Sequence, residues 1–351
     1  MEKLDLRLKA IPDSIWGKIA KIDHLQGQWI AGAKLSPQAL GRLKRSVLIT
    51  STGASTRIEG AKLSDEEIEK LMRGLSVQKF ADRDQQEARG YYELLEHVFD
   101  SWKSLKFSES SVKHFHKELL KYVEKDAAHR GEYKKQENKV EMFDASGRAI
   151  AVLFDTTAPY LTPKETQELV DWTNDALREK IYHPLLVIGH FLVSFLKIHP
   201  FKDGNGRLSR ILNNLLMLQT GYEYVQYVSH EKLVEDNKPE YYVALRKSQT
   251  TFGTEKETII PWLEFFLDMI LKQSEMALDL LSKENIEKLL TKKQLAVWDY
   301  LQSADGATPG EIAGATNIAQ PTVRQALAKL LKLKKIERLG QGRTTRYQKI
   351  P

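Results

Sequence analysis

The stretch HPFKDGNGRLSR, residues 199–210, joins two apolar helical runs and decides how the rest of the chain is interpreted. LLVIGHFLVSFLKI precedes it and ILNNLLML follows it, and both have the apolar content of buried helices. A turn between two helices needs little more than one glycine. This turn also carries a histidine, an aspartate and two arginines, so its composition indicates a functional loop.

Helical periodicity prevails along the remainder of the chain. Apolar positions three and four residues apart predict helices at 37–50, 64–74, 84–103, 109–125, 163–180, 184–198, 207–220 and 258–289. One strand pair is predicted at 139–154, where Asp-Ala-Ser-Gly suits a hairpin loop. The last module follows the order of a winged helix-turn-helix, three helices and then strand, turn and strand. The expected fold is therefore mainly α, a helical bundle with a β-hairpin and a C-terminal winged helix-turn-helix domain.

Charge and composition narrow the class of protein. Residues 286–351 hold 12 Lys and Arg against 5 Asp and Glu, whereas the preceding 285 residues hold 41 and 42, so the net charge of +6 belongs to the tail. The absence of cysteine excludes disulfides, thiolate metal sites and cysteine nucleophiles. No uncharged run reaches the roughly 18 residues of a membrane helix, and the first residues do not resemble a signal peptide. We therefore expect a cytoplasmic protein with no membrane contact.

The residues of the loop suit phosphate chemistry. Gly204-Asn205-Gly206 leads directly into a helix, where free N–H groups and the helix dipole bind anions. Arg207 and Arg210 lie three residues apart on the first turns of that helix, which suits a polyphosphate. Asp203 is a hard oxygen ligand of the kind that holds Mg²⁺ together with phosphates. His199 is the natural general base.

HPFKDGNGRLSR resembles the Fic family motif, H-x-F-x-[D/E]-G-N-G-R-x-x-R, at all eight specified positions. RGEYKKQENKV with the hairpin after it is similar to the flap of that family, and NKPEYYVAL to the segment that closes its adenine pocket. STRIEG, residues 55–60, is similar to the inhibitory motif [S/T]-x-x-x-E-[G/N]. The C-terminal module resembles the tail of many long bacterial members. The likeness covers most of the chain.

The resemblance implies a protein adenylyltransferase that moves AMP from ATP to a Ser, Thr or Tyr hydroxyl of a target protein and releases pyrophosphate. It implies that His199 deprotonates the hydroxyl and that Asp203 holds Mg²⁺ between the α- and β-phosphates. The α-phosphate would lie in an anion hole formed by Gly204, Asn205 and Gly206. Arg207 would bind the β-phosphate and Arg210 the γ-phosphate, and the hairpin would hold an extended segment of the target.

Further roles follow from the same resemblance. Tyr242, of the pair Tyr241-Tyr242, is the expected adenine contact, and Gln249 is not expected to be one. Glu59 is expected to pair with Arg210 and to keep the γ-phosphate out, so that the resting enzyme is nearly silent. Ser55 is expected to hydrogen-bond the inhibitory helix in place.

These features predict four regions. They are an N-terminal helical region with the inhibitory motif at 1–105, a catalytic core at 106–255, a helical linker at 256–288, and the winged helix-turn-helix at 289–351.

Several alternatives stay open. One is the reverse reaction, hydrolysis of AMP from a modified protein with Glu59 positioning a water, and another is a DNA-binding regulator that uses the Fic body as a nucleotide sensor. The tail has two interpretations. It docks proteins or forms dimers, or it binds DNA through Gln320, Thr322, Arg324 and Gln325, with Arg343 and Arg346 on the wing. His114 and His116 are expected on a polar helix, and His190 in the core.

Overall fold

The computed structural model of the protein describes residues 2–32, 37–74, 82–143, 149–304, 306–333, 335–339 and 345–350. The chain forms two compact units, Met1–Leu278 and Asp279–Pro351. The first unit is helical apart from one strand pair. Its helices are α1 (Glu2–Leu6), α2 (Asp13–Gly32), α3 (Pro37–Ile58), α4 (Asp65–Met72), α5 (Arg83–Ser101), α6 (Glu109–Leu119), α7 (Thr162–Glu179), α8 (Pro184–Ile198), α9 (Asn205–Gln219), α10 (His230–Asp236), α11 (Lys238–Gln249) and α12 (Ile260–Leu289), the last of which continues into the second unit.

The centre of the first unit is the pair of helices on either side of the motif loop. Helix α8 is apolar on every side and almost all of its side chains are buried, as are those of α9. Helix α8 ends where His199 takes a left-handed conformation, with φ of +52°, and Pro200 bars further helix. Helix α9 begins at Asn205, two residues before the predicted start, because Gly204 with φ of +79° closes the turn. The motif is thus a loop of six residues, 199–204, followed by the first six residues of α9.

Helix α3 is longer than its sequence pattern predicts, and it continues from the expected end at residue 50 to Ile58. Its second half is rich in Ser and Thr, which usually favour caps and turns. Here their side chains are buried, and the hydroxyl groups of Thr52 and Thr56 donate to the carbonyls of Leu48 and Thr52, at 2.7 and 2.9 Å. Bonding back to the preceding turn lets a hydroxyl-rich segment stay helical inside the protein.

The predicted strand pair is present beside the core helices. Strands β1 (Lys139–Phe143) and β2 (Ala149–Asp155) pair antiparallel from Lys139 opposite Asp155 to Phe143 opposite Ala149. The register shifts twice along the pair, which is the mark of β-bulges. The predicted hairpin loop at 144–147 lies outside the described residues.

The second unit has the predicted order of elements. Helices α13 (Lys292–Ser303), α14 (Pro309–Thr316) and α15 (Gln320–Lys332) are followed by the antiparallel strands β3 (Ile336–Leu339) and β4 (Arg346–Lys349). Capping boxes open α13 at Thr291 and α14 at Thr308. An apolar core lies between these elements, and its most buried members are Val297, Leu301, Ile312, Val323, Ala326 and Leu330.

Within the described ranges of both units, we find no helix with the length and apolar character needed to cross a membrane.

Candidate active site

His199 stands at the C-terminal end of α8, half-buried, at the start of the motif loop. Its Nδ1 lies 3.2 Å from the carbonyl oxygen of Leu196. A carbonyl only accepts hydrogen bonds, so Nδ1 carries the proton and Nε2 keeps its lone pair. Desolvation by burial lowers the pKa of His199 to about 4, more than the Leu196 carbonyl and nearby carboxylates raise it. His199 is therefore a neutral imidazole at pH 7 with Nε2 available as a base.

Asn205 fixes the loop from inside. Its side chain is buried, its Oδ1 accepts from the Phe201 N–H at 2.9 Å, and its Nδ2 donates to the Phe201 carbonyl at 2.8 Å. The amide side chain is thus fully engaged with one residue of the loop. The backbone N–H groups of the first turn of α9 have no partners within the helix, so these groups are the donors that can bind an anion.

His116, on α6, packs against the motif loop. We expected it on a polar helix surface, and this expectation is wrong because the side chain is buried. Its ring is fully buried and stacks on Phe201 with centroids 3.8 Å apart. Nδ1 accepts from the Gly131 N–H at 2.8 Å, so Nε2 carries the proton and donates to the Asp203 carbonyl at 3.0 Å. Burial lowers its pKa to about 4. The missed signal is the spacing of 116 with the buried apolar positions Val112, Phe115 and Leu119.

Arg207 and Asp203 lie in a cluster of charges that the sequence did not predict. The Arg207 guanidinium is buried, 2.5 Å from a carboxylate oxygen of Glu87 on α5 and 3.2 Å from Asp203. Arg83, one turn earlier on α5, contacts the second carboxylate oxygen of Asp203 and also pairs with Asp126 at 3.0 Å. Burial acts to raise the pKa of Asp203, but Arg207, the Gly204 N–H and Arg83 together lower it. Asp203 is therefore ionised.

Arg210 is buried between the motif helix and the end of α3. Its Nε donates to Ser55 Oγ at 2.7 Å, and one terminal nitrogen donates to the Ser55 carbonyl at 3.0 Å and to Glu59 at 2.6 Å. Burial acts to lower the pKa of Arg210, but the Glu59 carboxylate together with Tyr241 and Tyr91 raises it overall. Through these bonds Ser55 joins the end of α3 to Arg210 on α9.

Gly206 allows the Glu59 carboxylate to lie against the first turn of α9. A Cβ atom built at residue 206 would overlap a carboxylate oxygen of Glu59, with the carboxylate carbon 3.1 Å away. The carboxylate thus occupies the N-terminal end of a helix, the place that favours an anion. A third of the Glu59 side chain is exposed, whereas 4% of the Arg210 side chain is. Glu59 therefore contacts both the helix start and the arginine that the sequence assigns to phosphates.

A buried carboxylate, Glu231, lies between α3, α5 and α9, close to the contact of Glu59 with Arg210. It accepts from Ser51 on α3 at 2.7 Å, from Tyr91 on α5 at 2.9 Å and from Asn214 on α9 at 2.6 Å. Asn214 also donates to the carbonyl of Arg210 at 3.0 Å. One carboxylate therefore joins α3 to the motif helix α9.

The tyrosine pair divides between core and site. Tyr241 is buried, with its ring 5.7 Å from Trp262, whereas Tyr242 is half-buried. Burial, and then the Glu59 carboxylate, raise the pKa of Tyr242. Gln249 is buried and donates to the Val193 carbonyl at 2.9 Å, a structural contact.

Asp203 fits a cation that is shared with bound phosphates. Its side chain is 39% exposed and ionised, which suits the one-carboxylate mode of Mg²⁺ binding. Among the residues that the structure describes, three or more His, Asp or Glu side chains do not converge at metal-binding distance. A cation at Asp203 would thus need phosphate oxygens as further ligands, and Arg83 would have to leave.

The predicted contact residues of the tail have mixed environments. Gln320, Arg324 and Gln325 are exposed on α15, and Thr322 is half-buried. Arg346 donates to Glu311 at 2.7 Å and to the Gly306 carbonyl at 3.0 Å, so its guanidinium is engaged within the unit. Arg343 lies outside the described residues.

Comparison with known proteins assigns the fold and the motif region. Residues 106–217 match the Fic/DOC family, so the chain carries a Fic/DOC domain. A solved Fic family protein from Desulfovibrio desulfuricans G20 superposes with a TM-score of 0.63 over 97% of each chain at 22% identity, a likeness of fold. Fic-1 of Caenorhabditis elegans (residues 134–508) gives a TM-score of 0.62 at 18% identity, covering 78% of this chain and 74% of that one.

Two curated proteins that are similar in sequence are named protein adenylyltransferases. Protein adenylyltransferase fic-1 of Caenorhabditis elegans is 33% identical over 94 residues, 26% of this chain and 17% of that one. A probable protein adenylyltransferase of Aquifex aeolicus (strain VF5) is 27% identical over 195 residues, 52% of each chain. The matched region thus spans about half of the length of these relatives or less.

Proposed function

We propose that the protein is an adenylyltransferase, held in an inhibited state by Glu59, that transfers AMP from ATP to a Ser, Thr or Tyr hydroxyl of a target protein. The observation that carries the proposal is the joint geometry at the start of α9. A neutral histidine with a free Nε2 lies beside a helix N-terminus, and a carboxylate already occupies that terminus and the Arg210 guanidinium. The names of the curated relatives support the same activity.

In the transfer step, His199 Nε2 takes the proton of the target hydroxyl as its oxygen attacks the α-phosphorus, and pyrophosphate leaves. Gly204, Asn205 and Gly206 would form the anion hole for the α-phosphate, where negative charge grows in the transition state. Mg²⁺, held through Asp203, would neutralise charge on the α- and β-phosphates. Arg207 would bind the β-phosphate, Tyr242 would contact the adenine, and the hairpin would align the target segment by main-chain hydrogen bonds.

Inhibition follows from competition for one guanidinium. A carboxylate on Arg210 uses the donors that a γ-phosphate would need, and its negative charge repels the triphosphate. ATP then binds only in a pose that keeps its α-phosphorus away from the attacking hydroxyl. Removing the carboxylate frees Arg210 and the space above Gly206 together.

The test is label transfer from α-³²P-ATP with Mg²⁺ and a cell lysate. We expect label on protein with Glu59→Gly, little with wild type, and none with Glu59→Gly/His199→Ala. γ-³²P-ATP is the control, because adenylyl transfer leaves no γ-label on protein. A γ-label would indicate phosphorylation, and no α-label in any variant would overturn the proposal in favour of AMP removal or nucleotide sensing.

We also propose that the second unit is a winged helix domain that binds DNA. We further propose that the protein works in the cytoplasm, and that two copies of the chain form a dimer that shields the inhibitory helix. The exposed Gln320, Arg324 and Gln325 and the net +7 of residues 286–351 support DNA binding. A gel shift with duplex DNA at low salt, weakened by Arg324→Ala, is expected. No shift would contradict DNA binding and favour protein docking, and light scattering of the same sample tests the dimer.

A further inference from the structure

The last turn of α8 ends in carbonyl groups that the helix cannot satisfy by itself. His199 takes two of them, its backbone N–H donating to Phe195 at 2.9 Å and its Nδ1 to Leu196 at 3.2 Å. The Thr157 N–H donates to the Lys197 carbonyl at 3.3 Å. The Ile198 carbonyl, directly before the histidine, accepts from the Nζ of Lys134 at 3.0 Å. The side chain of Lys134 therefore caps the helix on which His199 stands.

Lys134 is an unusual residue for this position because its charged side chain is almost wholly shielded from water. It is 5% exposed, and its three ammonium donors reach three neutral oxygens. These are the Ile198 carbonyl, Asn138 Oδ1 and Thr156 Oγ1, the last two at 2.8 Å. Burying a charge among neutral groups costs free energy, and desolvation accordingly lowers the pKa of Lys134 to about 8. A cation at a helix C-terminus recovers part of that cost.

The partners of Lys134 are the residues that border the hairpin. Asn138 directly precedes β1 and Thr156 directly follows β2. Asn138 Nδ2 also donates to the Phe201 carbonyl at 3.0 Å, and the backbone N–H of Lys134 donates to the Pro200 carbonyl at 2.9 Å. Both ends of the hairpin thus meet at one ammonium group, and the same small cluster binds the backbone on either side of His199.

We propose that Lys134 is a positioning residue for the transfer reaction, which ties the base of the target-binding hairpin to the end of α8 and so fixes the direction of the His199 ring. The inference rests on the proposed function. Lys134 touches neither ATP nor target, and its role is exerted through the Ile198 carbonyl and the two residues that border the hairpin. A geometric role of this kind is sensitive, because a misplacement of about 1 Å at a reacting group can cost about 100-fold in rate.

The charge of Lys134 also acts on His199 through space. Burial is the main reason for the low pKa of His199, and Lys134 lowers that pKa further, while Glu59 and Asp203 raise it. Replacing the ammonium by a neutral side chain is therefore expected to raise the pKa of His199, whether or not a nucleotide is bound.

The kinetic test uses variants made in the full chain with Glu59→Gly. Lys134→Met is expected to lower kcat of label transfer about 10- to 100-fold and to leave KM for ATP within about threefold, because the triphosphate contacts are untouched. Lys134→Arg, which keeps the charge, is expected to recover part of the rate. Lys135→Met is the matched control, the same change one residue along at an exposed position, and should leave kcat unchanged. A kcat for Lys134→Met within twofold of its parent would overturn the proposal.

A second readout does not depend on activity. In protein labelled with ¹³C at histidine Cε1, the His199 signal is identified by its loss in His199→Ala. Lys134→Met should raise the titration midpoint of His199, and Lys135→Met should leave it in place. If Lys134→Met does not fold, as judged by thermal melting, Thr156→Val replaces it, since it removes one hairpin partner of the ammonium.

The two proposals fail in different ways. An unchanged His199 signal in Lys134→Met, or an unchanged signal and kcat in Thr156→Val, would overturn the role of Lys134. A shifted His199 signal with no label transfer in any variant would support the link to His199 and contradict the transferase.

Discussion

Glu87 and Arg207 pair where both side chains are shielded from water, at 10% and 2% exposure. Such a pair stabilises a protein little compared with apolar side chains of the same shape. Removing one partner, however, leaves the other charge buried and unpaired, which destabilises the protein. Burial acts to lower the pKa of Arg207, while Glu87 and Asp203 raise it. A guanidinium group stays charged in proteins even when it loses such a partner.

Glu87→Ala is therefore expected to reduce the free energy of unfolding by about 3 kcal/mol, measured by urea denaturation of the full chain. Glu93→Ala is the control on the same helix. Its carboxylate pairs with Arg89 and Lys121 at a more exposed position, and we expect a loss of about 1 kcal/mol or less. Equal losses would contradict the view that burial makes the Glu87 pair costly to break.

Helix α5 approaches α6 so closely that only glycine fits at residue 90. A Cβ atom there would overlap the carbonyl oxygen of Leu119 and lie 3.0 Å from its carbonyl carbon. Backbone cannot move aside as a side chain does. The close approach also brings Glu87 and Arg83, one turn earlier on α5, against the motif loop.

Gly90→Ala is expected to destabilise the protein by about 2 kcal/mol because the two helices must separate. Gly27→Ala, in α2 where a Cβ would meet no atom within 4 Å, is expected to stabilise it by up to about 1 kcal/mol. Thermal melting of the two variants measures both. A neutral effect of Gly90→Ala would show that the contact is looser than described.

The sequence predicted most helices of the first unit and the hairpin because apolar spacing and turn residues are local signals. It ended α3 too early, because buried hydroxyls that bond to the preceding turn look like a polar segment until their partners are known. It missed Glu87 and Arg83 for a related reason. A charge on a helix is usually solvated, and only the approach of α5 to α9 shows that these two reach the loop. His116 was within reach of the sequence, since its spacing placed it on the apolar face of α6.

At the scale of the molecule, the first unit buries several histidines as neutral groups. Burial lowers the pKa of His116 and of His230 to about 4, and burial together with Arg7 lowers that of His190 well below its usual value. In the unfolded chain these histidines take up protons near pH 6.5. The unfolded state therefore binds more protons between about pH 6.5 and 4, and stability falls as the pH is lowered through that range.

His190→Phe isolates one such contribution, because phenylalanine keeps the ring that packs 4.6 Å from Trp172. We expect the loss of unfolding free energy between pH 7.5 and pH 5 to be smaller in this variant by up to about 2 kcal/mol. His97→Phe, at an exposed position, should leave the pH dependence unchanged. The same pH dependence in wild type and His190→Phe would show that His190 does not resist protonation.

The hydroxyl-lined face of α3 affects how easily its last turn could unwind and release Glu59 from Arg210. Ser51, Thr52, Ser55 and Thr56 are small and polar, and the large apolar side chain of the last turn is Ile58, which is buried. Apart from Ile58, unwinding that turn exposes little hydrocarbon, and water can replace the hydroxyl contacts. On the proposed function, the closed and open forms would then differ by only a few kcal/mol. Activity would then follow the fraction of molecules in the open form. Any ligand that binds the unwound turn more tightly than the helical one would raise that fraction.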